Sequence, residues 1–379
     1  MRYETDILII GGGLAGLTSS IHLSRAGFSV TVIEKNPYPQ HKVCGEYISN
    51  EVLSYLQHLD ADPLSLNPAL ITDLEFSTLS GKSIQTHLPL GGFGISRYTL
   101  DHFMHQHAIK SGVTIYTATV NDVHFENDSF TVFTTQNNFK ATLVLGAYGK
   151  RAMLDQQLNR DFMSHKSPWL AVKAHYTGNF PQHLVALHHF KGGYCGVSNI
   201  EDNLINICYL TDYGTFKKHK NITAHRENVL YQNKKLRSIF ESSVMTFEQP
   251  LSISQISFAG KEPVKNHILM IGDTAGLIHP LCGNGMGMAI HSAKICAELV
   301  VQYFEKTLTR KNKNQLRQQL ENSYISLWHK NFNKRIFTGR ILAGILRKEY
   351  LAEKLFSGLV KFPSLLPAII KQTHGKPLI

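Results

Sequence analysis

The chain has 379 residues, with 39 Lys or Arg against 28 Asp or Glu and a formal net charge of +11. Hydrophobic residues make up 43% and charged ones 18%, which excludes a disordered or collagen-like chain and leaves room for two or three domains able to bury a cofactor. Five widely spaced cysteines, Cys44, Cys195, Cys208, Cys282 and Cys296, form no CxxC, so no disulfide framework or zinc site is expected and a reducing cytoplasm suits them.

The first segment, MRYETDILIIGGG, carries Glu4 and Asp6 before a short apolar run, and no signal peptide is expected. Residues 7–10 read as a buried strand, 14–26 as a helix and 28–33 as a second β-branched strand, which together make a βαβ unit. Gly11, Gly13 and Gly16 form GxGxxG between the first strand and the helix, and Glu34 ends the second strand. Gly11 permits the tight turn, Gly13 lets backbone approach a pyrophosphate, and Gly16 lets helix and strand pack closely. The helix N-terminus then offers Leu14 and Ala15 backbone donors to the phosphates, and Glu34, followed by Lys35, suits an adenosine ribose.

Residues 98–110 have helical spacing, with Ser96 or Thr99 as N-cap, and 113–125, 129–135 and 142–145 read as strands. From about 161 to 261 strand-like runs at 169–176, 193–198 and 204–210 alternate with polar loops around a helix at 223–241, which predicts a mostly antiparallel sheet. A short strand at 267–271 leads into Gly272 and Asp273, and 285–305 and the last 60 residues read as helical. His102, His105 and His107 fall on the helix beside Asp101, but only the first two share a face, and no metal site is expected.

Between Lys306 and Lys348 lie eleven Lys or Arg with few acids, consistent with a solvated helix face or contact with an anionic membrane surface. No zinc-finger or RNP pattern accompanies the charge, so nucleic acid is not expected as a partner. Residues 355–370 are apolar but interrupted by Lys361, Pro363 and Pro367, and fall short of the roughly 20 residues a membrane span requires. The expected location is the cytoplasm, with peripheral membrane contact through the basic C-terminal region as an alternative.

The second glycine motif, IGDTAGLIHP followed by CGNGMGMA, resembles the GD motif of FAD-dependent enzymes in the aromatic hydroxylase and geranylgeranyl reductase superfamily. Arg97 in GISRYTLDHFM resembles the superfamily's Arg ahead of a helix. LVLGAYGKRA resembles its DG motif, with Tyr148 where an Asp is usual. HKVCGEYIS and GGYCGVS are similar to marks of the geranylgeranyl reductase and flavin-dependent dehydrogenase branch. The landmarks cover about the first 300 residues.

That resemblance implies an α/β fold: a Rossmann-like FAD-binding domain from residues 1–69, 97–160 and 264–325, an inserted mostly antiparallel sheet domain from 70–96 and 161–263, and a helical region at 326–379. It implies FAD held by Gly11, Gly13, Leu14, Ala15, Gly16, Glu34, Lys35, Lys42, Cys44, Arg97, Gly272, Asp273, Gly283, Asn284, Gly285 and Met286. NAD(P)H or another reduced donor would supply electrons. Cys44, Tyr194 and His279 are the candidate catalytic residues. The implied activity is hydride transfer at a C=C or C–H bond of a lipophilic substrate. The alternatives are hydroxylation of an aromatic or phenolic substrate with O2, or a flavin-binding redox partner without turnover. Ser49 in place of a second Cys argues against a disulfide reductase, and the absence of WxWxIP argues against a tryptophan-type halogenase.

Overall fold

The computed structural model describes residues 2–164, 167–309 and 312–379, so Arg310 and Lys311 of the basic run lie outside the described residues. Two sheets organise the chain. In the first, the strands Arg2–Ile10, Val30–Glu34, Thr114–Thr117, Asn138–Gly146 and Ile268–Met270 run parallel, with Ile9 opposite both Val32 and Leu145. Ile7, Leu8 and Ile9 are wholly buried, as expected of a parallel strand covered on both faces. The helices Leu14–Arg25, Arg97–Lys110 and Gly285–Thr309 belong to this half.

The expected strand at 113–125 is instead two, Thr114–Thr117 and Val120–Glu126; the latter turns away to pair antiparallel with Ser129–Thr134. The expected helix at 223–241 is broken as well, into Ile222–Asn228, a 3-10 turn at Leu230–Gln232 and Lys234–Glu241. Buried Asn233 makes the break. Its side chain caps the last helix at Lys235 N–H while its amide donates to Ser77 Oγ, Thr78 O and His189 O.

The second sheet takes the order Val244–Met245, Trp169–Thr177, Ile205–Asp212, Gly193–Asn199, Leu184–Phe190, Ala69–Ser77, Ser83–Gly94, Tyr47–Ser49. All neighbours are antiparallel except Leu184–Phe190 against Ala69–Ser77. The strand Tyr47–Ser49, inside the segment 1–69, pairs into this sheet and carries the chain between the two halves.

The long helix Lys313–Leu346 buries Tyr324, Trp328 and Phe332 against the first half, with Tyr324 O–H donating to Met270 O. Glu349–Lys361 and Leu365–Thr373 then fold onto the second sheet, where Leu359, Leu366 and Ile370 pack with Ile71, Leu74 and Leu88. The apolar stretch at 355–370 therefore spends one face on the sheet. No helix among the described residues is long and apolar enough to cross a membrane.

Candidate active site

The GxGxxG turn has the geometry its spacing demands. Gly11 has a φ of +105°, and a Cβ on Gly16 would lie 2.0 Å from Gly11 O. Gly13 caps the helix Leu14–Arg25 with no side-chain hydrogen bond to the first turn, and Gly13, Leu14 and Ala15 border a cavity of about 730 Å3. The helix thus presents open N–H donors to an anion. Glu34 stands beside the loop, accepting from Gly12 N–H at 2.7 Å and Asn36 N–H at 3.1 Å, and Lys35 borders the same space.

Ser96 caps the helix that carries Arg97, accepting from Thr99 N–H. Arg97 reaches Gly13, with Nη2 3.8 Å from where a Cβ would stand, and is held there by two 2.7 Å hydrogen bonds to Asp101, one turn on. Lys42 also donates to Asp101, at 2.7 Å. Burial opposes a charge on Asp101, yet Arg97 and Lys42 outweigh it and hold the carboxyl below its usual range; burial opposed by Asp101 likewise leaves the Arg97 pKa raised. Asp101 is a site residue that the sequence reading passed over, although its i,i+4 spacing from Arg97 was the available signal.

The second glycine motif lies across the cavity. Gly272 has a φ of +60° and its N–H donates to Ser292 Oγ; Asp273 borders the cavity, and its carbonyl accepts from Lys261 Nζ at 2.8 Å. Lys261 also donates to Lys150 O at 2.7 Å, and burial, opposed by Asp155 and Asp273, pushes its pKa down to about 8. Gly283, Gly285 and Met286 border the cavity at the start of the helix Gly285–Thr309. Asn284 is not among the lining residues; its amide donates to Glu51 Oε2 at 3.3 Å and Thr373 O at 2.8 Å, joining this loop to the C-terminal helices.

Cys44 borders the cavity with its Sγ 3.7 Å from Met286 Sδ. Tyr194 lines the cavity from the second sheet; burial pushes its phenol pKa well up, and its hydroxyl has no hydrogen-bond partner among the described residues. His279 lies behind the wall, packed with Trp169, Tyr194 and Phe258, and its Nδ1 accepts from Leu281 N–H. Burial pushes His279 down to about 4, so its ring is neutral near pH 7.

Further lining groups emerge only in three dimensions. Cys208 and Cys282 share the cavity with Cys44, and burial pushes both thiols up to about 12. Glu46, wholly buried, accepts from Lys173 Nζ and His175 Nε2, each at 2.7 Å, and from Arg97 N–H at 2.8 Å. Burial raises its carboxyl, but the His175 hydrogen bond and the Lys173 charge bring it below the usual range. This cluster ties the two halves beside the start of the helix that carries Arg97. His102 and His105 stack at 6.2 Å, and no group of three metal-ligating side chains occurs among the described residues.

An uncapped helix start, a cationic pair beside it, an acid at the ribose position and a second glycine turn across a large cavity fit FAD. A model of the FAD binding domain matches residues 4–303. The chain belongs to that family. This flavoprotein is 22% identical to ubiquinone hydroxylase UbiM of Neisseria meningitidis, over 99% of this chain and 86% of UbiM. It is also 22% identical to digeranylgeranylglycerophospholipid reductase 2 of Methanothermobacter thermautotrophicus, over 80% of this chain and 79% of that one. Among solved structures, the flavin-dependent brominase Bmp2 superposes with a TM-score of 0.79 at 16% identity, covering 98% of this chain and 93% of Bmp2, which shows the shared fold alone. The protein is an FAD-dependent oxidoreductase. FAD would be held by the Gly11–Gly16 turn, Glu34, Arg97 and Asp273, and when bound supplies two-electron redox chemistry.

Proposed function

We propose that this flavoprotein is a reductase or dehydrogenase acting at a C=C or C–H bond of a lipophilic substrate, with NAD(P)H or another reduced donor as electron source. The observation that carries the reading is the character of the wall facing the glycine turns. It is formed by Val185, Leu187 and Val197 of the second sheet and by Leu355, Leu359 and Leu366 of the C-terminal helices. Such a wall excludes water and orients an apolar chain while offering it no charge to bind. Saturating a C=C bond takes a hydride and a proton. Cys44 and Tyr194 face the cavity with exchangeable protons, and we assign proton delivery to one of them.

A second reading, hydroxylation of an aromatic or phenolic substrate with NAD(P)H and O2, is favoured by the match to a ubiquinone hydroxylase over nearly the whole chain. Product mass separates the two. Enzyme reduced without oxygen and given a polyprenylated lipid that has no quinone ring should yield a product heavier by two hydrogens, with one C=C bond of the chain saturated. A product heavier by one oxygen, formed only in air, would replace the first reading with the second. Flavin that is reduced and reoxidised with no change in any lipophilic compound would overturn both.

A further inference from the structure

The two helices that roof the cavity also present an outer face. In Glu349–Lys361 the buried side chains are Ala352, Phe356 and Leu359, whereas Tyr350, Lys354, Ser357 and Lys361 form an exposed stripe at i,i+4,i+7,i+11 spacing. The turn into Leu365–Thr373 leaves Val360 52%, Phe362 55% and Leu365 47% exposed, three large apolar side chains within six residues. Single exposed apolar residues need no explanation, but a cluster at a projecting turn does.

Charge names the occupant. From residue 354 to 379 the sequence has four lysines, Lys354, Lys361, Lys371 and Lys376, all exposed, and no acid. Lys354 and Lys361 lie over the rings of Tyr350 and Phe362, at 4.5 and 5.8 Å from the centroids. Aromatic rings flanked by lysines, with apolar tips beyond them, suit the boundary between acyl chains and headgroups; the half-buried acid beside the stripe, Glu353, is bonded to Ser80, and the predominantly cationic face is complementary to an anionic surface.

We infer that the outer face of the last two helices docks on a bilayer containing anionic lipid, with Val360, Phe362 and Leu365 inserted and Lys354, Lys361 and Lys371 at the headgroups. Leu359 and Leu366, adjacent in sequence to the inserted residues, line the cavity, so one layer of helix separates the bilayer from the flavoprotein's interior. The docking rests on this surface and not on the reaction assigned above, and it is measured without turnover.

The test is cosedimentation of the FAD-loaded protein with phosphatidylcholine vesicles, with and without phosphatidylserine. Binding should require phosphatidylserine and weaken with salt. F362S/L365S and K354Q/K361Q/K371Q should each partition more than about tenfold more weakly, since each basic residue at such a surface contributes about fivefold. K217Q/K218Q/K220Q, an exposed basic cluster on the second-sheet half, should bind like wild type. Retained flavin and an unchanged melting temperature show that the variants are folded. The proposal is overturned by no binding at low salt, by C-terminal variants that bind like wild type, or by equal loss in the control cluster. A dimer abolished by F362S/L365S in a protein that ignores vesicles would also overturn it, assigning the face to a second copy.

Discussion

On the flavin side the cavity is bounded by backbone: two glycine turns at positive φ and the open N-terminus of the helix Leu14–Arg25, with one carboxylate holding two cations in place. On the opposite side it is bounded by side chains from the second sheet and the last helices, packed for volume. A backbone wall admits few substitutions and fixes what binds. A side-chain wall tolerates exchange and decides shape, so the first half commits the chain to a cofactor while the second is free to choose among substrates.

The sharpest way to break this comparison lies within one motif. Gly16→Val places a Cβ 2.0 Å from Gly11 O and should yield no folded protein. At Gly13 only Arg97 Nη2, at 3.8 Å, lies within reach of a Cβ, so Gly13→Val should fold with a near wild-type melting temperature yet copurify without flavin. Flavin retained by folded Gly13→Val would mean that the pyrophosphate lies elsewhere.

Asp101→Ala leaves Arg97 and Lys42 without their shared carboxylate and should cost about 3–5 kcal/mol, read by denaturant unfolding. Flavin affinity should fall with it, because Arg97 loses the bonds that aim it at Gly13. A loss under about 1 kcal/mol would remove Asp101 from its organising role.

Acid sensitivity should cut across the comparison, because the buried histidines lie on both sides of the cavity: His279 and His291 at and after the second glycine motif, His188 in the second sheet. Burial lowers His279 from 6.5 to about 4, so between those values the unfolded chain binds a proton that the folded chain refuses. Stability is therefore complete above pH 6.5 and falls by about 3 kcal/mol as pH approaches 4. His188, held at about 4, and His291, at about 3, act in the same direction through burial first. Unfolding at pH 7.5 and 5 should show the loss, and His279→Phe should remove its share. An unchanged pH profile in that variant would assign the acid sensitivity elsewhere.

The smallest expected effect is at Cys44. Cys44→Ser should change stability by less than about 1 kcal/mol and leave flavin bound. If the thiol delivers the proton, turnover falls at saturating substrate; if Tyr194 does, turnover is unchanged and Tyr194→Phe shows the loss instead.

The backbone wall was legible in sequence because GxGxxG and GD are each contiguous and each glycine answers a steric demand. The terminal strand-helix-strand unit and Ser96 as cap were legible for the same reason. Glu46 and Lys173 were not, because they meet across the fold, 127 positions apart; at Asp101 the i,i+4 contact with Arg97 was local, but Lys42, 59 positions away, was not. His279 was legible as a residue before Pro280, but its packing against Trp169, Tyr194 and Phe258 follows only from the fold. The C-terminal helices carry no motif. Their part in the cavity follows from which face of each helix meets the sheet, and that depends on a surface contributed by strands far upstream.

Glu51 ties the roof of the cavity to the flavin half through one residue. Its carboxylate accepts from Arg335, Asn284 and Gly375, and its carbonyl accepts from Leu378 N–H at 2.7 Å, so one residue near the start of the chain has four partners far along it. The last helices line the cavity through Leu355, Leu359 and Leu366, so a chain in which these four bonds are unmade leaves that side of the cavity without its roof. The same four bonds, once made, pin the roof to the segment that carries the strand Tyr47–Ser49. A tag that pulls Leu378 away from Glu51 would accordingly change how fast flavin exchanges before it changed how tightly flavin binds.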